Sequence, residues 1–348
     1  MTDTSSSLVA PARLYALLLK LRPLEAGTLM PFSGELVHGA WLEWIRTAAP
    51  DISVALHEGN KRRLFTCSSL QFPLPRARLL EAERENVHLP VSQEKTYTIR
   101  ITLLLAELFP LFYNTLMYFN MAETGTKKLP FIQLGKREFL LEEVICSPDD
   151  PSGWTGFTSF ADLVDRALSR KMGSQPSLTL EFASLTACNW INRADKTYGN
   201  YFARLPLPRY VFPTLARRWH EIAPPELAYI VQKERIERYI EADGMIIEDY
   251  DLKTHEVQFT RHPQRGFVGS CTYQLRGPDE PAMPEAPLTV RQQIFLLAMF
   301  AFYCGIGYKT AMGMGQVRPF FIGQGADTGV QASQRAQEKG DDHDRGRE

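Results

Sequence analysis

The chain has 348 residues, 44% hydrophobic and 23% charged, with 39 Lys and Arg against 40 Asp and Glu and a formal net charge of −1. The length gives room for two cores of ordinary domain size. The charge balance excludes a histone-like or polybasic protein but leaves room for a local basic groove.

The five cysteines, Cys67, Cys146, Cys188, Cys271 and Cys304, are odd in number, scattered and free of any CxxC pair. That disfavours a disulfide framework and a zinc site and points to a reducing, cytoplasmic context. No apolar run reaches the roughly 18 residues of a membrane span, and the MTDTSSS start lacks the basic flank of a secretory signal. The start of the fold is placed near Leu8.

Arg13 to Arg22 reads as a strand, and Gly34 to Thr47 as a helix with Leu36, Ala40 and Ile45 near one face. Strands are expected at Leu64 to Phe72 and Thr96 to Leu105. In the latter Tyr97, Ile99 and Ile101 alternate with Thr98, Arg100 and Thr102, the pattern of a strand with one buried face. Glu107 to Asn120 reads as a helix and Phe131 to Val144 as a final strand or hairpin. The order strand, helix, strand, strand, helix, strand is the ferredoxin-like one.

Ser147 to Gly156 (SPDDPSGWTG) gathers prolines, glycines and aspartates, which places a domain boundary there. The order then repeats. Ser177 to Thr186 is a strand, Thr214 to Glu221 a short helix, and Met245 to Thr260 and Gly266 to Leu275 two strands facing across a turn. Arg291 to Tyr303 is a helix and Gln316 to Ile322 a closing strand. The fold class is therefore α+β, with two tandem ferredoxin-like (RNA-recognition-motif-like) domains, each βαββαβ with an antiparallel sheet. They are placed at residues 8–150 and 157–323. Residues 324–348 hold one large apolar residue, Val330, among six acids and four bases, and are expected to form a disordered tail. Without that tail the rest carries +1.

Four glycines, Gly305, Gly307, Gly313 and Gly315, follow the last helix and precede the last strand. They permit positive φ and close backbone approach, so exposed N–H groups, helped by Lys309 and Thr310, are expected to form an anion site. The loop is neither a Walker A loop nor a Rossmann fingerprint, and a plain helix C-cap would explain one or two of its glycines. The second signal is Leu56-His57-Glu58 followed by Lys61, Arg62 and Arg63. A histidine moves protons near neutral pH, and a guanidinium neutralises charge developing on a phosphate. Read alone, Lys61 to Arg63 is equally a solvated charge run. His38, on the first helix, reads as a packed helix residue or a second proton carrier. Arg217 and Arg218, near aromatic residues, are minor candidates for RNA contact. His88, His220, His255, His262 and His343 have no partner at metal-ligand spacing.

These pieces together resemble the CRISPR-associated endoribonucleases that process repeat RNA, in the repeat-associated mysterious protein superfamily. The resemblance rests on HGAWLEWI (His38 to Ile45), LHEGNKRRLFTCSSL (Leu56 to Leu70), LTLEFASLT (Leu178 to Thr186), GFVGSCTYQL (Gly266 to Leu275) and above all AFYCGIGYKTAMGMGQV (Ala301 to Val317). It implies two side-by-side ferredoxin-like domains that bind repeat RNA and cut it once without metal or cofactor. The 2′-hydroxyl attacks the scissile phosphate, leaving a 2′,3′-cyclic phosphate and a 5′-hydroxyl. Motif matching puts the general base or acid on His57 and the phosphate-binding cation on Arg63.

Some members complete this pair with a tyrosine, but the matching position is Leu42. His38 is the first substitute for that role, ahead of Tyr15 and Lys61. Lys61, Arg62, Arg217, Arg218, the four glycines, Lys309 and Thr310 are the expected RNA-binding residues. The superfamily also contains non-catalytic RNA-binding subunits, so partners in an effector assembly are an alternative expectation and a homodimer is compatible with either reading. An unrelated phosphate-binding enzyme using the glycine loop is a third.

Overall fold

The computed structural model describes residues 13–48, 64–121, 131–171, 175–191, 200–284 and 286–322. The expected tail, residues 324–348, lies outside them. No helix among the described residues is long and apolar enough to cross a membrane.

The first half is built around strand β1 (Arg13–Pro23), whose Leu17, Leu19 and Leu21 are fully buried. On one side β1 pairs antiparallel with β5 (Tyr97–Leu103), from Tyr15 opposite Leu103 to Leu21 opposite Tyr97. On its other side it pairs with β7 (Arg137–Ile145), which forms a hairpin with β6 (Phe131–Leu134). Strand β3 (Phe65–Cys67) adds beyond β5, giving the order β3-β5-β1-β7-β6. Helices α1 (Gly34–Ala48) and α3 (Leu108–Met121) bring Trp41, Trp44 and Phe112 onto the core of this half. The strand following the first helix, the two central strands and the strand following the second helix take the ferredoxin-like arrangement expected from the sequence.

The second half repeats it. Strand β9 (Ser177–Thr186) lies between β13 (Pro263–Leu275) and β14 (Val317–Ile322), and β12 (Met245–Gln258) flanks β13, giving the order β12-β13-β9-β14. Two helices supply its core side chains: α5 (Pro208–Ile222) with Phe212 and Trp219, and α8 (Val290–Cys304) with Phe295 and Phe300. The start of α8 is fixed by a reciprocal capping box. The Thr289 hydroxyl accepts from the Gln292 N–H at 3.2 Å, and the Gln292 side chain accepts from the Thr289 N–H at 3.0 Å. Helix α4 (Phe160–Ser169) begins the same way at Ser159 and Asp162. Three further elements complete this half: the small hairpin of β10 (Cys188–Ile191) and β11 (Asn200–Ala203), and helices α6 (Pro225–Ala228) and α7 (Lys233–Glu241).

Several expectations are corrected. Helix α2 (Arg76–Glu85) and the pair β2 (Gly27–Leu29) and β4 (Leu89–Val91) were not anticipated. The helix buries only Ala82 and so shows little apolar periodicity. The strand expected over Leu64 to Phe72 shortens to three residues, continued by one bridge from Gln71 to Thr98. Helix α5 starts six residues before the expected Thr214, because Pro208 occupies its first turn and a second proline, Pro213, is accommodated inside it and buried. At the end of the segment expected to separate the domains, β8 (Gly156–Ser159) pairs with the first four residues of β1, Arg13 opposite Ser159 and Ala16 opposite Gly156. Leu14 and Ala16 of β1 accordingly belong to the core of the second half.

The second face of β5 is the most instructive correction. Arg100 and Thr102, expected to face solvent, are buried. The second half covers them: Thr102 Oγ1 donates to the carbonyl of Tyr303 at 2.7 Å, and the Arg100 guanidinium is enclosed near the end of α8.

Burial also sets the alkaline behaviour of the fold. It pushes the thiols of Cys188 and Cys271 up to about 12 and the Tyr303 phenol up to about 12, while it pulls Arg100 down to about 9. The three acids keep their protons in the fold at pH values where the unfolded chain has lost them, so their contribution is complete below about pH 9 and is lost as pH rises toward 12. Arg100 works in the opposite sense between about 9 and 12.5, one group against three. Stability measured by urea unfolding is therefore expected to fall above about pH 9, and Cys188→Ala with Cys271→Ala should make the fall shallower.

Candidate functional site

His57, Lys61, Arg62 and Arg63 lie in residues 49–63, outside the described residues. The two elements that bound this segment are described, and His38 joins them. It is carried on α1, is buried, and stacks on Phe65, the first residue of β3, with ring centroids 5.6 Å apart and planes 15° from parallel. The second candidate histidine thus rests against the strand that the basic run enters, two residues after Arg63 in sequence. Leu42, one turn further along α1, packs against the apolar core of the first half.

One turn before His38 on the same helix, the Glu35 carboxylate accepts from the Thr260 N–H at 2.7 Å and its hydroxyl at 2.8 Å. Thr260 sits at the tip of the β12–β13 hairpin, so the second half reaches across to the first turn of α1. Lys309 meets the same place. Its ammonium lies 3.5 Å from the centroid of the buried Phe259 ring, a close cation–π contact. Burial lowers its pKa, Glu35 raises it, and Arg261 lowers it. A lysine, an arginine, a glutamate and the His38 helix therefore converge where the two halves meet.

Most of the N–H groups of the glycine loop are spent inside the protein. Ile306 donates to the Gly315 carbonyl, Gly315 to Leu185 and Tyr308 to Ala187, each at 2.9 Å, and Gly313 donates to Cys67 at 3.1 Å. The last bond and the Cys67 thiol, 2.9 Å from the Ala311 carbonyl, tie the loop to β3 of the first half. The glycines serve close packing. At Gly313 (φ 91°) an added Cβ would stand 2.9 Å from Ser69 Oγ and 3.0 Å from Gly34 Cα, and at Gly315 (φ 70°) it would fall onto the Ile306 carbonyl. Gly305 is likewise buried, while Gly307, Lys309 and Thr310 remain half-buried and Tyr308 is exposed. Gly315→Ala is expected to cost about 2 kcal/mol or more of stability, from the left-handed conformation and the blocked carbonyl together. A chemical-denaturation curve measures it; an unchanged midpoint would refute the packing role.

Arg217 and Arg218, the minor candidates for RNA contact, lie on α5. Arg218 is buried on α5, 3.6 Å from the Glu221 carboxylate, and Arg217 is half-buried. Their helix faces the core because Leu215, Ala216 and Trp219 bury on it.

No local pattern in the sequence signals the polar seam between the halves. Arg100 donates from Nε to the Trp154 carbonyl (2.8 Å), from Nη1 to Gln316 Oε1 (2.5 Å) and from Nη2 to the Phe302 carbonyl (2.8 Å). Gln316 in turn donates to the Thr66 hydroxyl and the Cys67 carbonyl, both at 3.3 Å. Arg76 donates to the Phe182 carbonyl at 2.9 Å, and His255 lies 2.7 Å from the Glu83 carboxylate. Each bond joins residues far apart in the chain, which no local pattern reveals.

Comparison with known proteins adds an independent finding. Residues 14–165 match a family model described as the CRISPR Cas6 N-terminal domain, and residues 180–317 match one described as the CRISPR-associated endoribonuclease Cas6. No curated protein matches the chain. The fold is similar to that of a Cas6 product complex, with 22% identity, a TM-score of 0.64, and coverage of 88% of this chain and 100% of that one. It is also similar to Thermus thermophilus Cas6 (22% identity, TM-score 0.58, coverage 89% and 100%) and to a Cas6 substrate mimic complex (19% identity, TM-score 0.56, coverage 89% and 100%). At these identities the structural likeness speaks for the fold.

Proposed function

Since the chain belongs to the CRISPR-associated endoribonuclease Cas6 family, with both halves matched, we propose that it cuts CRISPR precursor RNA once within each repeat to release guide RNAs. The cut uses no metal. The 2′-hydroxyl upstream of the scissile phosphate loses its proton and attacks phosphorus, and the bond to the downstream 5′-oxygen breaks. That oxygen takes up a proton, so the products end in a 2′,3′-cyclic phosphate and a 5′-hydroxyl.

Because the RNA supplies its own nucleophile, the protein has three tasks: aligning the hydroxyl, moving protons and stabilising the charged phosphorane. We assign His57 to proton transfer, Arg63 to the phosphorane oxygens and His38 to the third role. The observation that supports this grouping most directly is the stacking of His38 on Phe65 at the start of β3. It puts one histidine beside the strand that follows the LHE segment and its basic run. Lys61, Arg62 and Lys309 supply positive charge along the RNA path.

Incubating the purified protein with its repeat RNA in EDTA tests the reading. One cut is expected, abolished by a 2′-deoxy substitution at the cleaved nucleotide. Tight binding with no product would instead identify a non-catalytic RNA-binding subunit, and a requirement for added Mg²⁺ would refute the metal-free mechanism.

A further inference from the structure

The hairpin β10–β11 and the crest of the glycine loop present two aromatic rings to solvent. Phe202 is 39% exposed and Tyr308 36% exposed, and their ring centroids lie 5.1 Å apart with planes at 48°. The pair is built rather than accidental. Phe202 stands opposite Asn189 in the hairpin register, and Tyr308 is anchored by its N–H to the carbonyl of Ala187, the residue just before β10. A two-stranded ribbon of four-residue strands cannot bury both its faces, and the core gains little from rings left this open. The next residue, Lys309, holds a left-handed backbone conformation (φ 53°) that is uncommon outside glycine. It places the ammonium 5.6 Å from the Tyr308 ring and 3.5 Å from Phe259. Exposed Arg204 follows the hairpin, and Arg261 lies close enough to Lys309 to depress its ionisation.

Exposed aromatic faces among cations have a specific chemical complement, the unpaired base of a single-stranded polyanion. The base stacks on the ring and its phosphates meet the cations. The Lys309 ammonium beside the Tyr308 ring favours a polyanion over an apolar protein partner.

We propose that Phe202 and Tyr308 form a stacking platform for one unpaired nucleotide of the repeat RNA, held next to Lys309 and the first turn of α1. The proposal rests on the RNA-processing reading and deepens it. The platform positions RNA and takes no part in bond making. Through Lys309 and Glu35 it is coupled to the helix that carries His38, so a base seated on it fixes the register of the strand that continues toward the cut.

The test is a double-mutant cycle with the full-length protein and repeat RNA carrying a 2′-deoxy nucleotide at the cut site. One nucleotide at a time is made abasic. Phe202→Leu and Tyr308→Leu keep apolar bulk while removing the aromatic face, and their thermal unfolding is recorded to show that the fold is retained. At one RNA position the abasic change is expected to weaken binding of the unsubstituted protein about tenfold, on the scale of stacking a single base. Phe202→Leu weakens binding of intact RNA by a similar factor, and at that one position variant and abasic RNA together lose no more than either alone. Equal binding of intact RNA by both variants overturns the platform, and so do losses that simply add at every position. A protein that fails to bind repeat RNA at all would remove the RNA reading itself, a separate and recognisable result.

Discussion

Alanine at His57 is expected to slow single-turnover cleavage of repeat RNA roughly a hundred- to ten-thousand-fold, the range for losing a positioned acid or base. RNA affinity should change little, because an imidazole that moves a proton in the transition state adds little to ground-state binding. Arg63→Ala should also slow cleavage strongly, with partial recovery in Arg63→Lys: a lysine keeps the charge but not the planar fork that spans two phosphorane oxygens. If His57→Ala cleaves at the unchanged rate, the assignment is wrong.

His38 needs a finer test, because its ring is buried against Phe65 and a packing role would also slow the reaction. His38→Phe keeps an aromatic ring on Phe65 and removes the titratable nitrogen. If His38 carries a proton, His38→Phe is as slow as His38→Ala and the pH–rate profile loses one limb. If it only positions β3, His38→Phe restores the rate.

The second large effect is on stability. Arg100→Leu is expected to destabilise the protein by about 3 kcal/mol, the scale of leaving buried acceptors without their donors. The guanidinium meets three neutral acceptors and lies 4.4 Å from the Phe302 ring centroid and 5.3 Å from that of Trp154. Its charge is tolerable there for two reasons. The Phe302 carbonyl belongs to the last turn of α8, where the helix dipole concentrates negative potential, and the aromatic faces add to it. Leucine would leave the Trp154 and Phe302 carbonyls and the Gln316 side-chain oxygen buried without these donors. Lysine is expected to rescue little, since one ammonium cannot reproduce a fork aimed at three acceptors. Urea unfolding measures the loss. A change below about 1 kcal/mol would mean that the seam between the halves is held elsewhere.

The repeated ferredoxin-like order was legible because strands with buried alternation and helices with apolar faces announce themselves locally. Strand β9 and the β12–β13 hairpin lie close to where the sequence puts them. The family resemblance was legible in the same way, from short motifs. What local pattern could not show is how the halves meet. Thr98, Arg100 and Thr102 have the composition of a solvated strand face, and only the approach of α8 turns Arg100 and Thr102 into interior residues. The packing role of the glycine loop was hidden for a related reason. Glycines permit close approach equally to a ligand and to the protein's own backbone, and the partners that decide the matter, Leu185, Ala187 and Cys67, lie more than a hundred residues upstream. Phe202 and Tyr308 were passed over because Phe202 belongs to no motif and Tyr308 stands inside one read for its glycines, and only folding sets them side by side.

The bond between the Cys67 thiol and the Ala311 carbonyl spans 244 residues of chain, and this has a consequence for biosynthesis. At ordinary elongation rates of about 5–20 residues per second, some 12–50 s separate the emergence of these two partners. During that interval the first half can form its sheet, but β5 still shows the face that carries Arg100 and Thr102, and β1 lacks β8 for most of the early part. Apart from Leu14, Ala16 and Leu104, which wait for the second core, the nascent first half therefore presents a charged, hydrogen-bonding face to water. A seam made of arginine, threonine and glutamine costs little while it is wet and becomes selective once its partner arrives, which protects the unfinished chain from aggregation.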